Sequence, residues 1–105
     1  MSNVEKTFEI IQLYDYYKNL LTKKQKQYFE LYFFEDLTYQ EISENLSISR
    51  TAVFDSVSKT LKFLFNLEEK LKLKIKAENM KKNIHKLKDK QISLETFCEL
   101  IEGEL

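Results

Sequence analysis

The chain has 105 residues with seventeen basic and seventeen acidic side chains, 43% hydrophobic residues, no proline and a single glycine, Gly103. Helices tolerate that composition and tight β-turns do not, and the length suits one domain with one modest core, so the expectation is an all-α protein forming a single helical domain over residues 1–105. One cysteine forms no internal disulfide, no secretory leader opens the chain, and no apolar run reaches the length of a membrane span, so the cytoplasm is the expected compartment.

Residues 5–20 read as a first helix. Phe8, Ile11, Leu13 or Tyr14, Tyr17 and Leu20 or Leu21 recur at steps of three and four. Tyr14, Tyr16 and Tyr17 crowd its end, where packing with a hydrogen-bonded hydroxyl is the expected role. Thr22 with Gln25 is a capping box that opens a second helix through about Phe34. Tyr28, Leu31 and Tyr32 form its expected inward stripe, and Phe29, Phe33 and Phe34 widen that stripe beyond a normal amphipathic face. A helix so broadly apolar in so short a chain leads to the expectation of a homodimer with aromatic surface of the first two helices in the interface.

Residues 37–64 carry the pattern of a helix-turn-helix. Thr38 and Glu41 make another capping box, and Ile42 and Leu46 share one face. Ser43 is small where a second helix must approach closely, and Ile48 anchors the turn. Ser49 is an N-cap for the next helix. Ala52, Val53, Val57, Leu61 and Leu64 are that helix's expected buried stripe. Ser47 stands where such turns need a φ above zero, at an expected cost of about 1 kcal/mol relative to glycine.

A Lys-rich helical extension over residues 66–105 follows. Leu67, Leu71 and Ile75 make one stripe, and Leu73, Ala77, Met80, Ile84 and Leu87 make another with a heptad-like step. The offset between them predicts a bend or break near residues 73–79. Ser93 then caps a last helix whose apolar face is Leu94, Phe97, Cys98, Ile101 and Leu105. Charge is divided along the chain: residues 1–57 carry −3, residues 58–94 carry +7 and residues 95–105 carry −4. The acidic last helix is therefore expected to fold back on the basic one.

Nothing in the sequence points to catalysis, and no cofactor or metal is expected. His85 is the one histidine and lies in a Lys-rich helix, while Cys98 sits on an apolar stripe as a small hydrophobe. One His and one Cys fall short of a four-ligand zinc site, and one glycine excludes a Gly-rich phosphate loop. Carboxylate pairs such as Glu35–Asp36 and Glu68–Glu69 read as solubilising. The candidate site is the outward face of the second motif helix: Arg50, Thr51, Phe54, Asp55, Ser58, Lys59 and Lys62. In a DNA reader, Arg50 and Thr51 approach base edges or phosphates, and Lys59 and Lys62 touch phosphate. Asp55 opposes phosphate and Phe54 offers no donor, which favours a scaffold that contacts protein or RNA.

Residues 21–64 resemble region four of bacterial sigma factors in the LT..Q start, the LTYQEIS helix and the ISRTAV helix start. The chain is also similar, over about residues 8–75, to the YlxM family of small helix-turn-helix proteins. The residues that carry this resemblance are the aromatic-rich helix before the motif, Val53 to Asp55 against the family's Val-Tyr-Asp, and the LEEKLKL tract at residues 67–73. The resemblance implies a fold of the winged-helix-like DNA-binding superfamily. Genes of that family lie beside those for the signal recognition particle protein Ffh or its receptor FtsY. It therefore implies a regulatory part in that targeting pathway, with Ffh, FtsY or the particle RNA as partners. A DNA-binding transcriptional regulator using residues 49–62 is the alternative.

Overall fold

A computed structural model describes residues 3–105. It contains six α-helices and no strand among the described residues: α1 (Asn3–Tyr17), α2 (Lys23–Phe33), α3 (Tyr39–Leu46), α4 (Arg50–Leu71), α5 (Leu73–Lys88) and α6 (Leu94–Glu104). A short 3-10 turn, Lys18–Leu20, links α1 to α2. The chain divides into two compact units, the first ending at Leu71 and the second running from Lys72 to Leu105. No helix among the described residues is long and apolar enough to cross a membrane.

The first unit is built around two apolar clusters that share α2 and α4. In α1, Ile10, Leu13, Tyr14 and Tyr17 follow the i, i+3, i+4, i+7 rule and are all buried. The stripe expected through Phe8 and Ile11 is thus displaced. At about 100° per residue, Phe8 lies across the helix from the buried set, and it keeps 62% of its surface exposed. Tyr14 stacks on Phe29 with ring centres 4.1 Å apart. Its hydroxyl donates to Glu30 Oε1 at 2.9 Å, and the Tyr17 hydroxyl donates to Glu68 Oε1 at 2.7 Å. Each tyrosine buries its ring and leads its hydroxyl to a carboxylate at the rim. Glu68, expected to be merely solubilising, therefore holds a tyrosine.

The N-terminus of α2 is fixed by the expected capping box, with Thr22 and Gln25 exchanging bonds of 2.9 and 3.1 Å. Phe29 is its fully buried residue and joins the cluster of Ile10, Leu13, Tyr14, Tyr17, Leu21 and Leu64. Tyr28, Leu31 and Tyr32 instead pack on the second cluster of Ile42, Val53 and Val57, and Phe33 touches both. The breadth of the apolar face is explained by these two clusters within one chain. Phe34 remains 47% exposed.

The helix-turn-helix forms as its caps dictate. Thr38 and Glu41 exchange bonds of 3.1 Å each at the start of α3. Ser43 is buried, and its hydroxyl donates to the carbonyl of Gln40 at 2.7 Å. Ser47 is left-handed at φ 55, and the N–H groups of Ser47 and Ile48 both donate to the Ser43 carbonyl. Ser49 Oγ then accepts from the N–H of Ala52 at 3.0 Å. Within α4 the buried row is Val53, Val57, Thr60 and Leu64. Leu61 is half-buried between the clusters, and Ala52, expected inside, is exposed. Thr60 takes an inner place with its hydroxyl unpartnered among the described residues.

The helix of the motif does not stop at residue 64 but runs to Leu71. It ends where Lys72 turns left-handed at φ 57, just ahead of the expected break at residues 73–79. In the second unit, α5 and α6 form an antiparallel hairpin. Ser93 caps α6 by accepting from the Thr96 N–H at 3.1 Å, and Asn79 Nδ2 donates to Glu104 Oε1 at 3.3 Å. The acidic helix does fold back on the basic one. Its expected apolar face is only partly used, because two helices share a single seam. Phe97 and Ile101 are half-buried, whereas Leu94, Cys98 and Leu105 are exposed. His85 is solvated and pairs with Asp89 at 3.0 Å.

Candidate functional site

The predicted face is a product of the α4 periodicity. With Val53, Val57, Thr60 and Leu64 turned inward, the opposite side of the helix carries the remaining residues to solvent. Arg50, Thr51, Phe54, Asp55, Lys59 and Lys62 are all exposed, and Ser58 is half-buried at the edge. The structure thus brings all seven onto one helix, spread over about 18 Å from Arg50 to Lys62 at 1.5 Å per residue. Arg50, Phe54 and Ser58 form one row at four-residue steps. Asp55 and Lys62, seven apart, form another, with Lys59 beside it. Three cations and one carboxylate occupy the face, so its field is positive but modest.

Tyr39 completes the site and was not among the predicted residues. It is the first residue of α3. Its ring stacks on Tyr32 of α2 at 4.6 Å and 10°, and meets Phe54 of α4 edge to face at 5.6 Å and 86°. Three rings from three helices therefore make a continuous aromatic series ending in Phe54, which keeps 51% of its surface in solvent. Burial, and then the hydrogen bond with Tyr32, pushes the Tyr39 hydroxyl up to about 12. It stays neutral at physiological pH. Tyr39, Arg50, Thr51 and Phe54 line an open depression of about 390 Å³. No helical period links residues 39 and 54, so only the tertiary packing reveals the pairing. The one sequence signal is the position of Tyr39 directly after the capping Thr38, which ties it to the start of α3.

Chemically this is a candidate binding surface. It offers a guanidinium, a hydroxyl and two ring systems around one depression, with two further cations along the helix. The chain's single arginine, among sixteen lysines, is the cation placed at the rings.

A family model described as “Putative helix-turn-helix protein, YlxM / p13 like” (UPF0122) matches residues 4–103. The chain is similar to a UPF0122 protein of Mycoplasma capricolum subsp. capricolum, 50% identical over 99 residues that cover 94% of this chain and 88% of that protein. It is similar to the UPF0122 protein YlxM of Bacillus subtilis, 41% identical over 87 residues, covering 83% and 79%. It is also similar to the UPF0122 protein BH2485 of Halalkalibacterium halodurans, 38% identical over 103 residues, covering 95% and 94%.

Proposed function

The chain belongs to the YlxM / p13-like family of helix-turn-helix proteins, and from that premise we propose that it is a regulatory protein of the signal recognition particle pathway that binds the particle RNA through the outward face of α4. The observation that supports a binding role is the row Arg50–Phe54 on the open side of α4, with Lys59 and Lys62 further along the same helix. The pathway itself comes from the family resemblance and from the gene neighbourhood of that family. The cytoplasm is the compartment this reading requires.

A DNA-binding transcriptional regulator is the second reading. The helix-turn-helix geometry favours it, because the first turn of α4 stands free with Arg50 and Thr51. Asp55 and the unpolar Phe54 weigh against it. Fluorescence anisotropy against the particle RNA and a random duplex DNA, at two salt concentrations, separates the two. With three cations on the face, the slope of log affinity against log salt is expected to be no steeper than about −3, and Arg50→Ala reduces it by about 1. Binding to the RNA with little on the duplex supports the targeting reading. Binding to duplex DNA with no preference for the RNA replaces it with the regulator. Silence on both moves the partner to Ffh or FtsY, tested by pull-down.

The chain is further proposed to act as a homodimer. Phe8 at 62% and Phe34 at 47% exposure are aromatic surface left over on the first two helices after both clusters are filled. Sedimentation at micromolar concentration tests this, and a monomer there overturns it.

A further inference from the structure

The depression at Tyr39, Arg50, Thr51 and Phe54 has the wrong chemistry for the groove of a regular duplex. In a duplex the bases are stacked on one another, and their edges are read by polar side chains. Phe54 has no polar atom, yet it stands half-exposed on the side of the face that adjoins α3. What the depression offers is a ring surface backed by Tyr39 and, behind it, Tyr32, so Phe54 is braced by stacked aromatics rather than swinging free. Beside it stands Arg50, whose planar guanidinium pairs bidentately with phosphate and stacks on flat ligands. Thr51 adds a hydroxyl able to donate or accept.

From this geometry we infer that the depression is a pocket for one unpaired nucleotide, of the kind a folded RNA presents in a single-stranded loop. The base stacks on Phe54, Arg50 holds the adjoining phosphate, and Thr51 bonds to sugar or base. Lys59 and Lys62 lie further along α4 and follow the backbone that leaves the pocket. The open depression, of about 390 Å³, leaves room for a base beside the Phe54 ring. The inference rests on α4 being a nucleic-acid-binding surface and adds which part of a nucleic acid it takes.

The chain has no tryptophan, so Phe54→Trp introduces a lone reporter at the pocket. The test uses the full chain with an RNA hairpin carrying an unpaired loop and with a blunt duplex of the same stem. Phe54→Trp keeps a ring at the pocket, and its emission is expected to be quenched by stacking when the hairpin is added and to show no quenching with the duplex. Phe54→Leu, with helix content checked by circular dichroism, is expected to lose about ten-fold in affinity for the hairpin and little for the duplex. Hairpin binding that depends on Arg50 but is indifferent to Phe54→Leu, with no quenching of the tryptophan, overturns the pocket and leaves α4 as the binding surface. Equal affinity for hairpin and duplex overturns the pocket also. Absence of binding to either nucleic acid overturns both the pocket and the role of α4 as a nucleic-acid-binding surface. Quenching by Ffh or FtsY and not by RNA overturns the pocket in favour of a protein segment.

Discussion

Ser47 holds φ 55 with a side chain that disfavours it, at the turn where the motif needs the chain to reverse. Ser47→Gly is expected to raise stability by about 0.5–1 kcal/mol, since the strain it relieves outweighs the extra freedom of the unfolded chain. Denaturant titration reads this as a higher midpoint. Thr60 is the opposite kind of residue, fully buried with an unpartnered hydroxyl among the described residues. Thr60→Val keeps the shape, removes the unsatisfied group and is expected to gain about 1 kcal/mol. Ser47 was legible because turn chemistry is local. Thr60 was not, because a threonine reads as polar, and only its place between Val57 and Leu64 at three- and four-residue steps marks it as interior. Tyr39 sets a pH limit. Its hydroxyl titrates near 10 when unfolded and near 12 in the fold, so its contribution is complete below about pH 10 and disappears as the pH rises from there to about 12. Tyr14, raised by burial and by its bond to Glu30, acts in the same direction. Thermal melts should be flat up to about pH 10 and then fall, and Tyr39→Phe should soften that fall.

At the scale of elements, the caps were the most legible feature of the chain. Thr22 with Gln25, Thr38 with Glu41, and Ser93 all form as their spacing requires, because a cap is decided within four residues. Thr38→Ala is expected to cost about 1 kcal/mol by freeing a first-turn N–H of α3. Ser43→Leu should cost several times more, since the buried serine lies where α3 and α4 pack and a leucine there forces them apart. Which way a helix faces proved harder to read. An apolar residue on nearly every side of α2 gives no unique stripe, and its placement between two clusters is settled by α1 on one side and α3 with α4 on the other. The same holds for Phe8, which matches a helical period but not the one the neighbouring helices bury.

Across the whole chain, the division of charge predicted the pairing of α5 with α6, and the residues of α4 predicted the candidate face. Tyr39 escaped because its partner is fifteen residues away in sequence and meets it only through folding. The two units also differ in how much they bury. Among the described residues the first holds ten buried hydrophobic residues, while the one residue buried in the second is the polar Asn83. A chain ending at Leu71 should therefore keep a cooperative thermal transition, since both clusters lie within it. Residues 72–105 alone should show little helix at low concentration, because a two-helix hairpin with so little buried area falls short of the entropy it must overcome.

All six tyrosines lie between residues 14 and 39, three of them in face-to-face ring pairs, Tyr14 with Phe29 and Tyr32 with Tyr39. Residues 72–105 contain no tyrosine and one phenylalanine, Phe97. The tyrosine band of the near-ultraviolet dichroism is thus a signature of the first unit alone, whereas the far-ultraviolet amide band sums every helix. Recording both during one heating ramp distinguishes the melting of one unit from that of the other in unlabelled protein.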